Sequence, residues 1–188
     1  MHAKDLPRCK QALLLVDFIN PLDFPGAQEL APEALSAARA TALLRRELRS
    51  RGVPTIYAND NFGSWHSDFK SMVRQFMAGS GPSARMAKLL KPGQRDLTVL
   101  KPRHSAFYGS PLDIILEKMG VETLIIAGVA TDICVQLTAA EGFLRGFRMS
   151  VPRDCTAAES LEKKNAALAY MHGILKCDVS PSRARTLR

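Results

Sequence analysis

Short apolar runs alternate along this chain with longer segments whose apolar residues recur at helical spacing. Gln11 to Asp17 (QALLLVD) is apolar through its middle and ends on a carboxylate, the pattern of a buried parallel strand leading into a loop. Pro32 and Glu33 open a segment to Arg51 with Leu35, Ala38, Ala42, Leu43 and Leu48 on one helical stripe, closed by Gly52. Val53 to Ala58 reads as a second strand, Leu97 to Leu100 as a third ending at Lys101, Glu122 to Ala127 as a fourth and Phe147 to Val151 as a fifth. Helices are expected around Phe69 to Phe76 and over Pro111 to Met119, Asp132 to Arg145 and Glu159 to His172, with a short sixth strand over Lys176 to Val179. This alternation predicts the α/β class, a parallel sheet with right-handed crossovers. Asn59 to Ser83, with Gly63, Gly79, Gly81 and Pro82, reads mainly as a long loop around one short helix, and loops of that length are usually functional.

Composition narrows the picture. The 188 residues suit a single domain spanning the whole chain, 46% hydrophobic and 23% charged, with no linker, repeat or low-complexity tract. The opening MHAKDLPRCK lacks an apolar leader core and no apolar run is long enough to span a bilayer, so a cytoplasmic location without membrane association is expected. Cys9, Cys134, Cys155 and Cys177 lie far apart with no Cys-x-x-Cys, which predicts free thiols rather than a disulfide framework or a zinc ribbon. The net charge of +8 is scattered over a helix face and the last residues without a recognition motif, so no nucleic-acid partner is expected.

In an open parallel sheet, ligands bind beyond the carboxyl ends of the strands. Three such ends carry reactive groups: Asp17 after the first strand, Lys101 after the third and Cys134 just after the fourth, within GVATDICV. A thiol at the start of a helix is favoured as its anion by the helix dipole. It also needs a base to take its proton and a positive charge to hold the thiolate, roles that suit Asp17 and Lys101.

Three ordered segments resemble one family. LLLVDFINPL is similar to the aspartate strand of the isochorismatase-like cysteine hydrolases, KPRHSAFYGSPLD to their lysine segment and GVATDICVQLTAAEGFLRGF to their cysteine segment. That family includes nicotinamidases, N-carbamoylsarcosine amidases and ureidoacrylate amidohydrolases. The resemblance implies a three-layer α/β/α fold with a six-stranded parallel sheet of order 3-2-1-4-5-6, and a catalytic triad of Asp17, Lys101 and Cys134. It further implies a cis peptide between Val129 and Ala130, an oxyanion hole from the N–H groups of Ala130 and Cys134, and a homo-oligomer, dimer or tetramer. The cysteine favours C–N bond hydrolysis of a small amide, ureido or carbamoyl compound through a thioester. The alternatives are isochorismatase-type hydrolysis and a non-catalytic binding protein of the same fold.

Nicotinamidases hold a metal through an Asp-x-His segment after the second strand. Here the segment is Asp60-Asn61-Phe62, with Phe62 in place of the histidine, so no metal, no cofactor and no nicotinamide substrate are expected. NDNFGSWHSDF instead offers Asn59, Phe62, Trp65 and His66 as polar and aromatic groups for a small pocket, joined by Phe24, Phe107 and Tyr108. For Phe62 and Trp65 the competing reading is that they pin the loop to the body. His104 stays outside the expected catalytic set, because a histidine after a strand more often bonds its own loop.

Overall fold

The computed structural model describes residues 6–62 and 68–184. The elements run β1 (Gln11–Val16), α1 (Ala27–Ser50), β2 (Thr55–Asp60), α2 (Phe69–Ala78), α3 (Gly81–Leu89), β3 (Leu97–Lys101), α4 (Leu112–Met119), β4 (Thr123–Val129), α5 (Gln136–Leu144), β5 (Arg148–Ser150), β6 (Thr156–Ala157) and α6 (Leu161–Gly173). All strand pairings are parallel, in the order β3-β2-β1-β4-β5, with β6 bonded to β4. Central β1 pairs Val16 with Ala58 on one side and with Gly128 on the other, so the residue after Val16 emerges between the ends of two neighbouring strands.

Alternate side chains of a strand face opposite sides of the sheet, and both sides here are apolar. Leu13, Leu15, Tyr57 and Ala127 pack against Leu30, Ala34 and Ala38 of α1, Phe69 and Met72 of α2 and Met86 of α3. Ala12, Leu14, Val16 and Ile126 pack against Leu112 and Leu116 of α4, Ala139 of α5 and Leu168 and Met171 of α6. Leu13, Leu14, Leu15 and Val16 are all completely buried, each worth about 1.5–3 kcal/mol of transfer free energy. The three-layer architecture follows: a strand apolar on both faces needs helices on both.

The structure departs from the sequence pattern in four places. Helix α1 begins at Ala27, and Pro32 lies inside it, because burial of Ala27, Leu30 and Ala31 outweighs the single backbone donor that proline lacks. Helix α3 occupies part of what reads as loop; Pro82 stands in its first turn, where proline is tolerated, and Ala84, Met86 and Ala87 give it a buried face. The segment after β4 opens with one wide π-type turn, Thr131–Val135, before α5 takes up regular geometry. Lys176 to Val179 contributes a single parallel bridge from Asp178 to Ser150, since Lys176 adopts a positive φ of 56° that breaks an extended run; the two-residue β6 extends the sheet beside the end of β4.

Among the described residues no helix is long and apolar enough to cross a membrane.

Candidate active site

Asp17 leaves β1 in the left-handed region, with φ 52°, a conformation that Asp tolerates better than most side chains. Its N–H donates to the Ala58 carbonyl at 3.1 Å, which holds the turn against β2. One carboxylate oxygen, Oδ1, accepts from the Asp60 N–H at 2.7 Å, and the other, Oδ2, accepts from Lys101 Nζ at 2.8 Å. Lys101 is paired with Asp60 in the β2–β3 register and its side chain reaches across β2 to Asp17, completely buried on the way. Its ammonium also donates to the Arg103 carbonyl at 3.0 Å and stands 3.9 Å from the Asp60 carboxylate. A buried ammonium needs partners of this kind, because burial without them costs several kcal/mol.

Cys134 comes from the wide turn after β4, half-buried, with Sγ 3.8 Å from Lys101 Nζ and 3.9 Å from His104 Nδ1. Burial raises the Asp17 pKa above the ordinary carboxylate range, against the opposing pull of the Lys101 charge and of hydrogen bonds from Lys101, Cys134 and Asp60. Burial likewise raises the Cys134 pKa, and the Asp17 carboxylate adds to it more than Lys101 removes. A helix start is expected to favour the anion; burial and the neighbouring Asp17 carboxylate push the other way.

The remaining sequence-derived positions fall into three groups. Asn59 is completely buried on the Tyr57 side of β2, where its amide accepts from the Ile19 N–H at 3.2 Å and donates to the Ile19 carbonyl at 2.7 Å; it clamps the loop after β1 instead of facing a pocket. Phe107 is also buried, stacked on Phe147 at 6.1 Å with the Arg145 guanidinium 4.6 Å from its ring centre, so it is a packing residue. Phe24, Phe62 and Tyr108 are exposed. Phe62 meets the edge of Phe76 at 6.2 Å and lines a cavity of about 350 Å³ with Pro21, Asp23, Asn61, Met72 and Gln75, beginning one residue beyond Asp60. Trp65 and His66 lie outside the described residues. The peptide between Val129 and Ala130 is cis.

Two residues outside the expected catalytic set also stand at the site. Asp60 supplies a backbone donor to Asp17 and a second carboxylate near Lys101, which its register opposite Lys101 makes possible. His104, expected to bond its own loop, instead has Nδ1 3.9 Å from the thiol sulfur. Among the described residues no cluster of three or more His, Cys, Asp or Glu side chains is placed to hold a metal ion.

The family model for the isochorismatase domain matches residues 11–178, which contain every residue of this site. The chain belongs to the isochorismatase family. It is 31% identical over 175 residues to the uncharacterized isochorismatase family protein YaaI of Bacillus subtilis, covering 93% of this chain and 96% of that one. It is 28% identical over 167 residues to maleamate amidohydrolase of Pseudomonas putida, covering 85% and 78%. The solved structure of N-carbamoylsarcosine amidase from Thermoplasma acidophilum superposes with a TM-score of 0.70 at 27% identity, covering 93% of this chain and 97% of the other. Membership in the isochorismatase family thus extends over almost the whole chain.

Proposed function

We propose that this isochorismatase-family chain is an amidohydrolase that cleaves the C–N bond of a small amide, ureido or carbamoyl compound, with Cys134 as nucleophile. The observation that carries the reading is the position of Lys101 Nζ, 2.8 Å from Asp17 Oδ2 and 3.8 Å from Cys134 Sγ. One buried ammonium touches both a carboxylate and a thiol, so a proton can pass between them without leaving uncompensated charge. The amidohydrolases among its relatives support the same reaction class.

In this scheme Cys134 gives its proton to Asp17, whose raised pKa makes it a stronger base than an ordinary carboxylate. Sulfur forms a bond to the substrate carbonyl carbon, and the N–H groups of Ala130 and Cys134 hold the resulting oxyanion. Asp17 returns the proton to nitrogen, the C–N bond breaks, and ammonia or an amine departs. The thioester left on Cys134 is then hydrolysed by water, which frees the acid and restores the thiol. The scheme uses no metal or cofactor: Phe62 stands where nicotinamidases carry a ligand histidine.

The same reading has the chain working in the cytoplasm as a homo-oligomer. Four free thiols suit a reducing compartment. Ile133, Leu137 and Leu144, on or just before α5, are 39%, 44% and 80% exposed, apolar surface that a second copy would cover. The test of function is ammonia release from a panel of maleamate, ureido acids and carbamoyl amino acids. At least one member is turned over by the wild type and none by Cys134→Ala; turnover that survives the substitution overturns the proposal.

A further inference from the structure

Cys134 has a neighbour that the scheme above does not use. His104 is exposed, yet the backbone on either side of it is tied down: the Arg103 carbonyl accepts from Lys101 Nζ at 3.0 Å, and the Ala106 N–H donates to Thr138 Oγ1 of α5 at 3.0 Å. The ammonium that touches the sulfur therefore also holds the residue just before the imidazole. Asp17, by contrast, is buried, 4% exposed, with Oδ1 engaged by Asp60 and Oδ2 by Lys101. The imidazole is thus an exposed base, Nδ1 3.9 Å from the sulfur, on a backbone held in place beside it.

We propose that His104 is the general base of the second half-reaction, activating the water that hydrolyses the Cys134 thioester; this rests on the reading of Cys134 as nucleophile. With Nδ1 unprotonated and facing the sulfur, the ring accepts a proton from water as its oxygen bonds to the acyl carbon. The C–S bond breaks, its electron pair returns to sulfur beside Lys101, and the proton passes from the imidazolium to the thiolate. The acid leaves and the resting thiol is restored. Labour is thereby divided, with the buried Asp17 serving acylation and the exposed His104 serving deacylation.

The test uses p-nitrophenyl acetate, whose first half-reaction releases a coloured product as it acetylates a thiol. The expected result for His104→Asn is a burst of p-nitrophenolate matching the wild type, followed by a steady rate lower by about 100-fold. Acetylated Cys134 then persists in the mass spectrum. Imidazole added to acetylated His104→Ala, after removal of p-nitrophenyl acetate, speeds loss of the acetyl group from Cys134, an effect that a merely structural role for the histidine would not give. A steady rate equal to that of the wild type overturns the proposal, as does a burst slowed in step with it. If the wild type shows no acetyl group on Cys134, it is the nucleophile reading that fails.

Discussion

Lys101 Nζ lies 2.8 Å from Asp17 Oδ2 although Asp17 follows β1 and Lys101 ends β3, strands separated by β2. The long lysine side chain crosses the intervening strand in full burial, so the ion pair is formed in the interior, where a lost partner leaves a charge that water cannot reach. Lys101→Met should destabilise the fold by about 3–5 kcal/mol at neutral pH. The Asp17 pKa, already raised, rises further in that variant, so the deficit shrinks as pH falls and the carboxylate is protonated. Urea midpoints at neutral pH and at about pH 4 measure both effects, and the double variant with Asp17→Asn should recover part of the loss.

Asp17 has opposite effects on the two properties usually expected to move together at a reactive thiol. Its charge helps to raise the Cys134 pKa, so Asp17→Asn lowers that pKa and leaves Lys101 to favour the thiolate. Alkylation of Cys134 by iodoacetamide at neutral pH should speed up, while amide turnover falls by about 10²–10⁴-fold for want of an acid to protonate the leaving nitrogen. Timed alkylation with peptide mass mapping, run beside an ammonia assay, checks the split.

Gly128 allows β4 to lie close against β1 at the level of the site. A Cβ there would collide with the Val16 carbonyl oxygen and come within 2.7 Å of Val16 Cβ, one residue before Asp17. Gly128→Ala should cost about 1–3 kcal/mol and reduce activity as well, because any relief must move the backbone that carries Asp17. Thermal unfolding gives the first effect and turnover the second.

The buried thiols outside the site make the fold sensitive to alkali. Burial and the charge of Asp154 push Cys155 up to about 12, and burial pushes Cys177 up to about 11. Unfolded thiols ionise near ~8.5. Between that value and the folded ones only the unfolded chain releases protons, so this stability is complete below ~8.5 and is lost as pH rises through the folded values. The free energy of unfolding should fall by more than about 1 kcal/mol between about pH 8 and about pH 10.5, and by less in Cys177→Ala.

Asp17, Lys101 and Cys134 were legible because each stands at or just beyond a strand end, and a parallel sheet gathers strand ends on one face. The pocket was harder to read. Polar and aromatic character marked Asn59 and Phe107 as pocket walls, but period two turns Asn59 toward the Tyr57 side, under Ile19, and Phe107 folds in beneath Arg145. Helix α3 was hidden by Gly79, Gly81 and Pro82, which punctuate a loop and open a helix with the same residues. The state of the thiol was hidden too, since it depends on how deeply Asp17 and Cys134 are buried together and on no local motif.

The most direct test of the Cys134 nucleophile is an acid quench during turnover of an amide that the chain hydrolyses, followed by peptide mass mapping. The expected result is one acyl group on the peptide carrying Cys134, absent from Cys134→Ala, which does not turn over. An unmodified Cys134 peptide together with wild-type turnover in Cys134→Ala would contradict it.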